Sequence, residues 1–243
     1  MILWCTAAMF VASVGAQEPT MAQLLDAADD YARGDSSHAT IEMAVKTKRY
    51  ERTMRMESWS KGTDASLIRI LSPAKDAGIT TLMRDENVWN YLPKVDRILK
   101  VPGAMMGGRW QGSHFTNDDL VKGNRLSEDF DARFTGKPGD GTHDAYIIEL
   151  TPKPDAAIVW GKLLVTVGPD MLPMDTKYFD EDGTLVRTMA FGDVKPMAGK
   201  SIPTTMTLTP EGKNGEFTRI TFVSLELDVE LSDSTFTPQA LKR

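Results

Sequence analysis

Residues 41–57 decide the fold, and they read Ile-Glu-Met-Ala-Val-Lys-Thr-Lys-Arg-Tyr-Glu-Arg-Thr-Met-Arg-Met-Glu. Apolar side chains alternate with mostly polar ones over residues 41–46, and the alternation returns over residues 50–57. Because successive side chains of a β-strand point to opposite faces, a period of two collects the apolar residues on one face. The stretch therefore predicts two neighbouring strands, each with one apolar and one solvated face.

The same period recurs along most of the remaining chain. Further runs lie at residues 66–71, 79–84, 88–92, 97–101, 145–150, 162–167, 174–179, 185–191, 204–209 and 217–227. Turn sequences separate them, and Asp180-Glu181-Asp182-Gly183 is a strong hairpin signal because Asp-Gly readily supplies a positive φ. Since strand follows strand at hairpin spacing, we expect a mainly β protein of about 10 to 11 antiparallel strands.

One helix is predicted before the strands, over residues 18–33. Met21, Leu24, Leu25 and Ala28 have the i, i+3, i+4, i+7 spacing of an amphipathic helix. Gly34 follows, and glycine is the residue that most often ends a helix. The mature chain is therefore expected to open with an amphipathic helix.

The strands are interrupted between residues 102 and 120. Residues 102–110 form a loop rich in glycine and proline that carries two adjacent methionines, Met105 and Met106. After it, Thr116 has the character of a helix N-cap, with Asp119 three residues further on. We expect an apolar loop here, followed by a short helix.

The first 16 residues are predicted to be a cleavable secretion signal. Residues 2–15 carry no charge, and their apolar run is shorter than a membrane span requires. The run ends in Val14-Gly15-Ala16, and small residues at these positions are typical of a signal-peptidase site, although no Lys or Arg precedes the run. Cleavage after Ala16 would release residues 17–243 as one domain outside the cytoplasm.

Cysteine usage and charge exclude several classes of function. The single cysteine, Cys5, lies within the predicted signal, so the mature chain would have neither a disulfide nor a thiol nucleophile. Lipidation of Cys5 is an alternative, but the bulky Trp4 stands where a lipobox needs a small residue. The net charge of −6 gives no basic field for nucleic acid.

No pattern in the sequence predicts a catalytic, metal or cofactor site. The three histidines lack the spacing of metal ligands. Ser113 and His114 place a hydroxyl beside an imidazole, but the strand-to-helix context of a Gly-x-Ser-x-Gly nucleophile is missing. We therefore predict a protein that is not an enzyme and needs no cofactor, with a hydrolase centred on Ser113 and His114 as an alternative.

Methionine and aromatic residues suggest a binding surface for apolar molecules. The chain has 14 methionines, and this flexible side chain suits a surface that repacks around variable ligands. The alternative is that the methionines fill an irregular core, although this explains Met105 and Met106 in their loop less well. Trp89 and Tyr91 should share one face of a strand, either in the core or as a cavity wall.

Three internal segments and the C-terminal one resemble a bacterial family of outer-membrane lipoprotein-sorting proteins. The internal segments are residues 73–80, 88–98 and 112–120, and the closing segment is Leu-Ser-Asp-Ser-Thr-Phe-Thr-Pro at 231–238. The most specific parts are Trp-x-Tyr-x-Pro at 89–93 and Gly-Ser-x-Phe-Thr-x-x-Asp-Leu at 112–120. The resemblance spans nearly all of the chain after the predicted signal.

The resemblance implies an incomplete antiparallel β-barrel, with the N-terminal helix and short lid helices over an apolar concave face. It makes two groups of residues candidates for a hydrophobic cavity. The candidate walls are Met43, Met54, Met56, Trp89 and Tyr91, and the candidate cover is Met105, Met106, Trp110 and Phe115. A basic gating residue of such carriers would correspond to Arg52, Arg55 or Arg69, and the motifs do not choose among them.

The function implied is that of a periplasmic carrier or chaperone. Such a protein binds lipid or lipoprotein acyl chains and moves them between the inner and outer membranes, with no catalytic group. The expected partners are those acyl chains and an inner-membrane transporter, and the carrier is expected to be a monomer. The alternative implied by the resemblance is a lipid-sensing or transporter-associated interaction module that transfers no cargo.

Overall fold

The computed structural model describes residues 18–122 and 125–242. The predicted signal at residues 1–16, including Cys5, lies outside these described residues. Within them, none of the helices is both long enough and apolar enough to span a membrane.

The described chain is built mainly from strands. Its three α-helices are α1 (Met21–Asp29), α2 (Asn117–Lys122) and α3 (Leu126–Asp129). The strands are β1 (Ser36–Lys46), β2 (Glu51–Lys61), β3 (Ala65–Ser72), β4 (Thr80–Arg84), β5 (Asn87–Leu92), β6 (Arg97–Lys100), β7 (Phe130–Gly136), β8 (Tyr146–Pro152), β9 (Lys162–Val167), β10 (Pro173–Phe179), β11 (Leu185–Met197), β12 (Lys200–Pro210) and β13 (Phe217–Leu227). Short 3₁₀ turns lie at Pro93–Val95, Gly103–Met105, Trp110–Gly112, Asp233–Phe236 and Pro238–Lys242.

All the strands belong to one antiparallel sheet. Their order is β6-β5-β4-β3-β2-β1-β13-β12-β11-β10-β9-β8-β7. The first strand pairs with the last, so the two halves of the chain meet in the middle, while β6 and β7 form the free edges. The sheet is open, which confirms the prediction of a mainly β, incompletely closed fold.

The strand count was predicted too low, since the described residues form 13 strands. β7 has no counterpart among the predicted runs. It is an edge strand in which Phe130, Ala132 and Phe134 alternate with Asp131, Arg133 and Thr135. The period of two is therefore present in this stretch of sequence, and the prediction missed it.

Helix α1 confirms the prediction of an N-terminal amphipathic helix. Thr20 caps it, accepting a hydrogen bond from the Gln23 amide at 3.3 Å. Leu24 and Leu25 are buried against β8, β9 and β10. The helix ends at Asp29, four residues before the predicted end, and the chain turns into β1 through Gly34 at φ +62°.

The sheet has two faces with different covers. We call the face that carries Met43, Met54 and Met56 the inner face. Met43 lies opposite Met54 in the β1–β2 pair, and all three methionines are fully buried. The other side, here called the outer face, is covered over β2–β5 by the C-terminal turns, where Phe236 and Leu241 are buried.

Candidate functional site

Residues 101–129 connect the two edge strands, and we call them the crossover segment. The segment leaves β6, crosses the inner face and enters β7 at the opposite edge of the sheet. Hydrogen bonds join it to β2, β13 and β11 in turn. The inner face is therefore covered by this connection together with α1, whose Leu24 and Leu25 pack with Leu126 against β8–β10, without any further layer of sheet.

Trp110 anchors the crossover segment in the core. Its side chain is only 3% exposed and packs in one cluster with Met43, Met54 and Met56. The indole Nε1–H donates to Thr81 Oγ1 at 3.1 Å, and that hydroxyl donates to Asn90 Oδ1 at 2.7 Å. A buried indole N–H needs such a partner, so the bond fixes the orientation of the ring.

Hydrogen bonds fix the residues that follow Trp110 in the chain. The Tyr50 hydroxyl donates to the Gly112 carbonyl, and the Arg52 guanidinium donates to the Gln111 carbonyl. Gly112 has φ +68°, and a Cβ there would lie 2.8 Å from the Tyr50 oxygen. His114 binds Thr218 Oγ1 through its amide at 2.9 Å and through Nδ1 at 2.8 Å.

Helix α2 carries the strongest ion pair of the crossover segment. The predicted N-cap at Thr116 is confirmed. The Thr116 Oγ1 accepts a hydrogen bond from the Asp119 amide at 3.1 Å, and the Asp119 carboxylate accepts one from the Thr116 amide at 2.8 Å. The same carboxylate binds both Arg187 nitrogens, at 2.6 and 2.8 Å. The Arg187 guanidinium lies over both the Tyr178 and the Trp160 ring, 4.2 and 4.5 Å from their centres, where the ring faces attract its positive charge.

The ionisation of this pair follows from its surroundings. Burial raises the pKa of Asp119, but the bonds from Arg187 and Thr116 outweigh burial and hold that pKa below its ordinary range. Burial lowers the pKa of Arg187, but the hydrogen bonds and charge of Asp119 outweigh burial, so this pKa lies above its ordinary value. Both groups are therefore charged at neutral pH, and they tie α2 to β11.

A cleft of about 930 Å³ lies beside Trp110. It is bounded by the start of β2, strands β5 and β6, and the first half of the crossover segment. Trp110 lines this cleft and also belongs to the buried methionine cluster. The indole is thus the partition between an open cleft and the apolar inner face.

The structure places the nine candidate cavity residues in several different environments. Met43, Met54, Met56 and Trp110 come together in the inner cluster. Met105 is 61% exposed and lines the cleft, whereas Met106 is half-buried against a small cluster around Met83, Val88 and Val121. Phe115 is half-buried in the crossover segment.

Trp89 and Tyr91 do not share a cavity with the methionines. Trp89 lies opposite Leu82, Leu82 opposite Leu67, and Leu67 opposite Trp59. Trp59 is three residues from Met56 on β2, so an odd spacing places the two on opposite faces. Trp89 and Tyr91 pack on the outer face beneath the C-terminal turns.

Sequence patterns did not identify Arg187, Asn90 or Thr81 as parts of the site. Arg187 lies in a strand whose alternation marks it only as an inward position, and its partner Asp119 is 68 residues away. Among the three arginines considered for gating, Arg52 lines the cleft. Arg55 pairs with Glu42 at 3.5 Å, and Arg69 lies over the Trp59 ring.

Ser113 and His114 are neighbours in sequence with separate partners. The Ser113 hydroxyl is fully buried and donates to the Trp110 carbonyl at 2.8 Å. The His114 ring binds Thr218 and, through Nε2, Glu216 at 3.1 Å. Across residues 18–122 and 125–242, no group of three or more His, Cys, Asp or Glu is placed to hold a metal ion.

Comparison with known proteins identifies the family and the fold. A family model described as "Uncharacterized protein" matches residues 62–243, well over half of the chain. The chain belongs to that family. A search of curated proteins finds no match.

Three solved structures have the same fold over nearly the whole chain. A DUF1329 family protein from Desulfovibrio piger is 24% identical, covers 93% of this chain and 100% of its own, and gives a TM-score of 0.79. A putative outer membrane lipoprotein-sorting protein domain from Vibrio parahaemolyticus is 20% identical, with coverages of 91% and 96% and a TM-score of 0.73. A LolA superfamily protein from Nitrosomonas europaea is 23% identical, with coverages of 90% and 98% and a TM-score of 0.74. The resemblance to lipoprotein-sorting proteins is confirmed for the fold.

Proposed function

We propose that this protein is a periplasmic carrier that binds lipid or lipoprotein acyl chains and moves them between the inner and outer membranes. The observation that carries the proposal is the position of Trp110, between the open cleft and the fully buried methionines of the inner face. Displacement of one side chain would join the cleft to an apolar surface wide enough for an acyl chain.

The crossover segment is suited to act as the cover. It contains Gly103, Gly107, Gly108 and Gly112, and glycine adapts its backbone more freely than other residues. The contacts of its first half with the sheet are the Trp110 indole, the half-buried Met106 side chain and hydrogen bonds from Tyr50 and Arg52, whereas the Asp119–Arg187 pair holds α2 in place. The first half of the segment can therefore leave the inner face without breaking any strand pairing.

The methionines are suited to receive the chain that replaces Trp110. Each buried methylene contributes about 0.8 kcal/mol, so an acyl chain of ordinary length offsets the lost indole contacts without any catalytic group. Met43, Met54 and Met56 are unbranched and adjust to guests of different shape. This explains their presence where a rigid core would favour branched aliphatic residues.

The proposal is tested by recovering cargo. Protein isolated from the periplasm is extracted and its lipids are identified by mass spectrometry, and transfer of labelled lipid between two vesicle populations is then followed. We expect bound lipid and catalysed transfer, both reduced in Met105→Gln at the cleft. Met174→Gln is the matched control, since Met174 is also exposed, at 48%, but lies on β10.

Two results separate this proposal from its rivals. Absence of both bound lipid and transfer would contradict it. Binding without transfer would instead favour a lipid-sensing module that moves no cargo.

A further inference from the structure

The cleft beside Trp110 is basic in a protein that is acidic. The chain has a net charge of −6. The residues lining the cleft nevertheless include four cationic ones, Arg52, Lys75, Lys100 and Arg109, and a single acidic one, Glu51. A local excess of positive charge against the overall balance attracts anionic ligands.

Much of this positive charge is not neutralised within the protein. The Glu51 carboxylate is 3.6 Å from Lys46, outside the cleft lining, and Arg52 is 3.5 Å from Asp76. Lys75 and Arg109 are exposed and form no ion pair with any residue in the described part of the chain. Lys100 lines the cleft, but its ammonium group lies on the outer face, 5.6 Å from the centre of the Trp89 ring, so Arg52, Lys75 and Arg109 supply the positive charge.

Much of the remaining lining is apolar and partly open to solvent, beside the polar side chains of Asn90, Gln111 and Asn117. Leu99 is 47% exposed and Met105 is 61% exposed, and both face the cleft together with Trp110. The volume of about 930 Å³ is at the upper end of the range of about 300–1,000 Å³ found for small-molecule sites. A site lined by both cationic and apolar side chains matches a ligand with an anionic head and a hydrocarbon tail.

We propose that the cleft selects anionic amphiphiles, binding a carboxylate or phosphate head between Lys75 and Arg109 and directing the hydrocarbon tail toward Trp110. This inference rests on the proposed carrier function and adds the charge of the cargo. Arg52 contributes positive charge, but it also binds the Gln111 carbonyl and is therefore part of the scaffold. Lys75 and Arg109 have no such role and are the residues to change.

The test compares three probes on the full mature chain. Dodecanoate has the anionic head and the tail, dodecanol has the tail alone, and inorganic phosphate has the anion alone. Affinities are measured by calorimetry for the native protein and for the double variant Lys75→Gln/Arg109→Gln. The matched control is Arg97→Gln/Lys177→Gln, which removes the same charge from exposed residues outside the cleft.

We expect dodecanoate to bind more tightly than dodecanol and phosphate to bind weakly. The cleft variant should lose about tenfold in affinity for dodecanoate, as expected for charge-assisted contacts to two cations, and less than twofold for dodecanol. The control variant should bind both like the native protein. Added salt should weaken dodecanoate binding only.

Each other outcome overturns the inference in a recognisable way. Equal binding of dodecanoate and dodecanol, unchanged in the cleft variant, would reject anionic selection and leave the carrier function standing. Tight phosphate binding without a tail requirement would mean a site for a free anion. No binding of either amphiphile would overturn both this inference and the proposed carrier function.

Discussion

The carboxyl group of Asp29, the last residue of α1, joins this helix to the crossover segment. Its Oδ2 accepts a hydrogen bond from the Leu126 amide at 2.9 Å. Burial raises the pKa of Asp29 to about 7, and the Leu126 bond and Arg33 offset only part of that effect. The group therefore changes charge close to neutral pH.

This titration predicts how stability depends on pH. In the unfolded chain Asp29 has an ordinary pKa near 3.8, so between that pH and about 7 the folded state alone retains the proton. Its contribution to stability is full at low pH and is lost as pH rises to about 7. Asp29→Asn should therefore be more stable than the native protein at pH 8, by on the order of 2–4 kcal/mol.

Urea denaturation at pH 4 and pH 8 measures this effect. The native protein should lose stability between the two pH values relative to Asp29→Asn, which keeps an oxygen for the Leu126 amide. Asp144→Asn, at an exposed carboxyl, is the control and should follow the native profile. A native-like pH profile in Asp29→Asn would contradict the assignment.

Arg187 is expected to contribute far more to stability than an arginine on the surface. Its side chain is 7% exposed, and Arg187→Gln leaves the Asp119 carboxylate buried without its partner. We expect a loss of about 3–5 kcal/mol in the free energy of unfolding. Arg133→Gln breaks an equally short pair with Glu149, but Arg133 is 69% exposed and the cost should stay below about 1 kcal/mol. Similar losses for the two variants would contradict this account.

At the scale of elements, local chemistry predicted helices and most strands, but could not predict partners. The bounds of β9 and β13 match their predicted runs, and the buried positions of β9 alternate over its full length. The cap at Thr116 was also predicted, since it depends only on residues three apart. The face of β5 that points inward depends on the pairing of β2–β4 and on the C-terminal turns. The sequence alone therefore grouped Trp89 and Tyr91 with the inner-face methionines, although they pack on the outer face.

The cap of α2 is expected to control the crossover segment. Thr116→Ala removes the acceptor for the Asp119 amide and should cost about 1 kcal/mol. Loss of the cap should loosen α2 and expose the segment around it, although Arg187 still binds Asp119. Amide hydrogen exchange over residues 108–122 should therefore accelerate.

Thr20→Ala provides the control, since it removes a comparable cap from α1. Its exchange should accelerate near residue 21 and not in the crossover segment. Equal protection of residues 108–122 in Thr116→Ala and the native protein would mean that the cap does not hold the cover.

At the scale of the molecule, the open sheet separates two covers with different roles. The crossover segment covers the inner face and the C-terminal turns cover the outer face. The apolar inner surface was predictable from the alternation of β1 and β2. The position of Trp110 between this surface and the cleft was not predictable from the sequence. It depends on how the crossover segment packs against strands that are distant from it in sequence.

This separation predicts a variant that loses stability and keeps binding. Phe236 is 2% exposed beneath the C-terminal turns, and Phe236→Ala should cost about 3–5 kcal/mol. Its affinity for dodecanoate at 10 °C, where the fold persists, should equal that of the native protein because the cleft lies on the other face. A parallel loss of affinity would show that the two faces are coupled.

The central claim is that an acyl chain enters at the cleft and contacts Trp110. Quenching of tryptophan fluorescence by dodecanoate brominated on its tail measures that contact directly. We expect strong quenching in the native protein that is mostly lost in Trp110→Phe, while Trp160→Phe, at an aromatic residue outside the cleft lining, keeps it. Quenching that is absent, or that persists undiminished in Trp110→Phe, would contradict the claim.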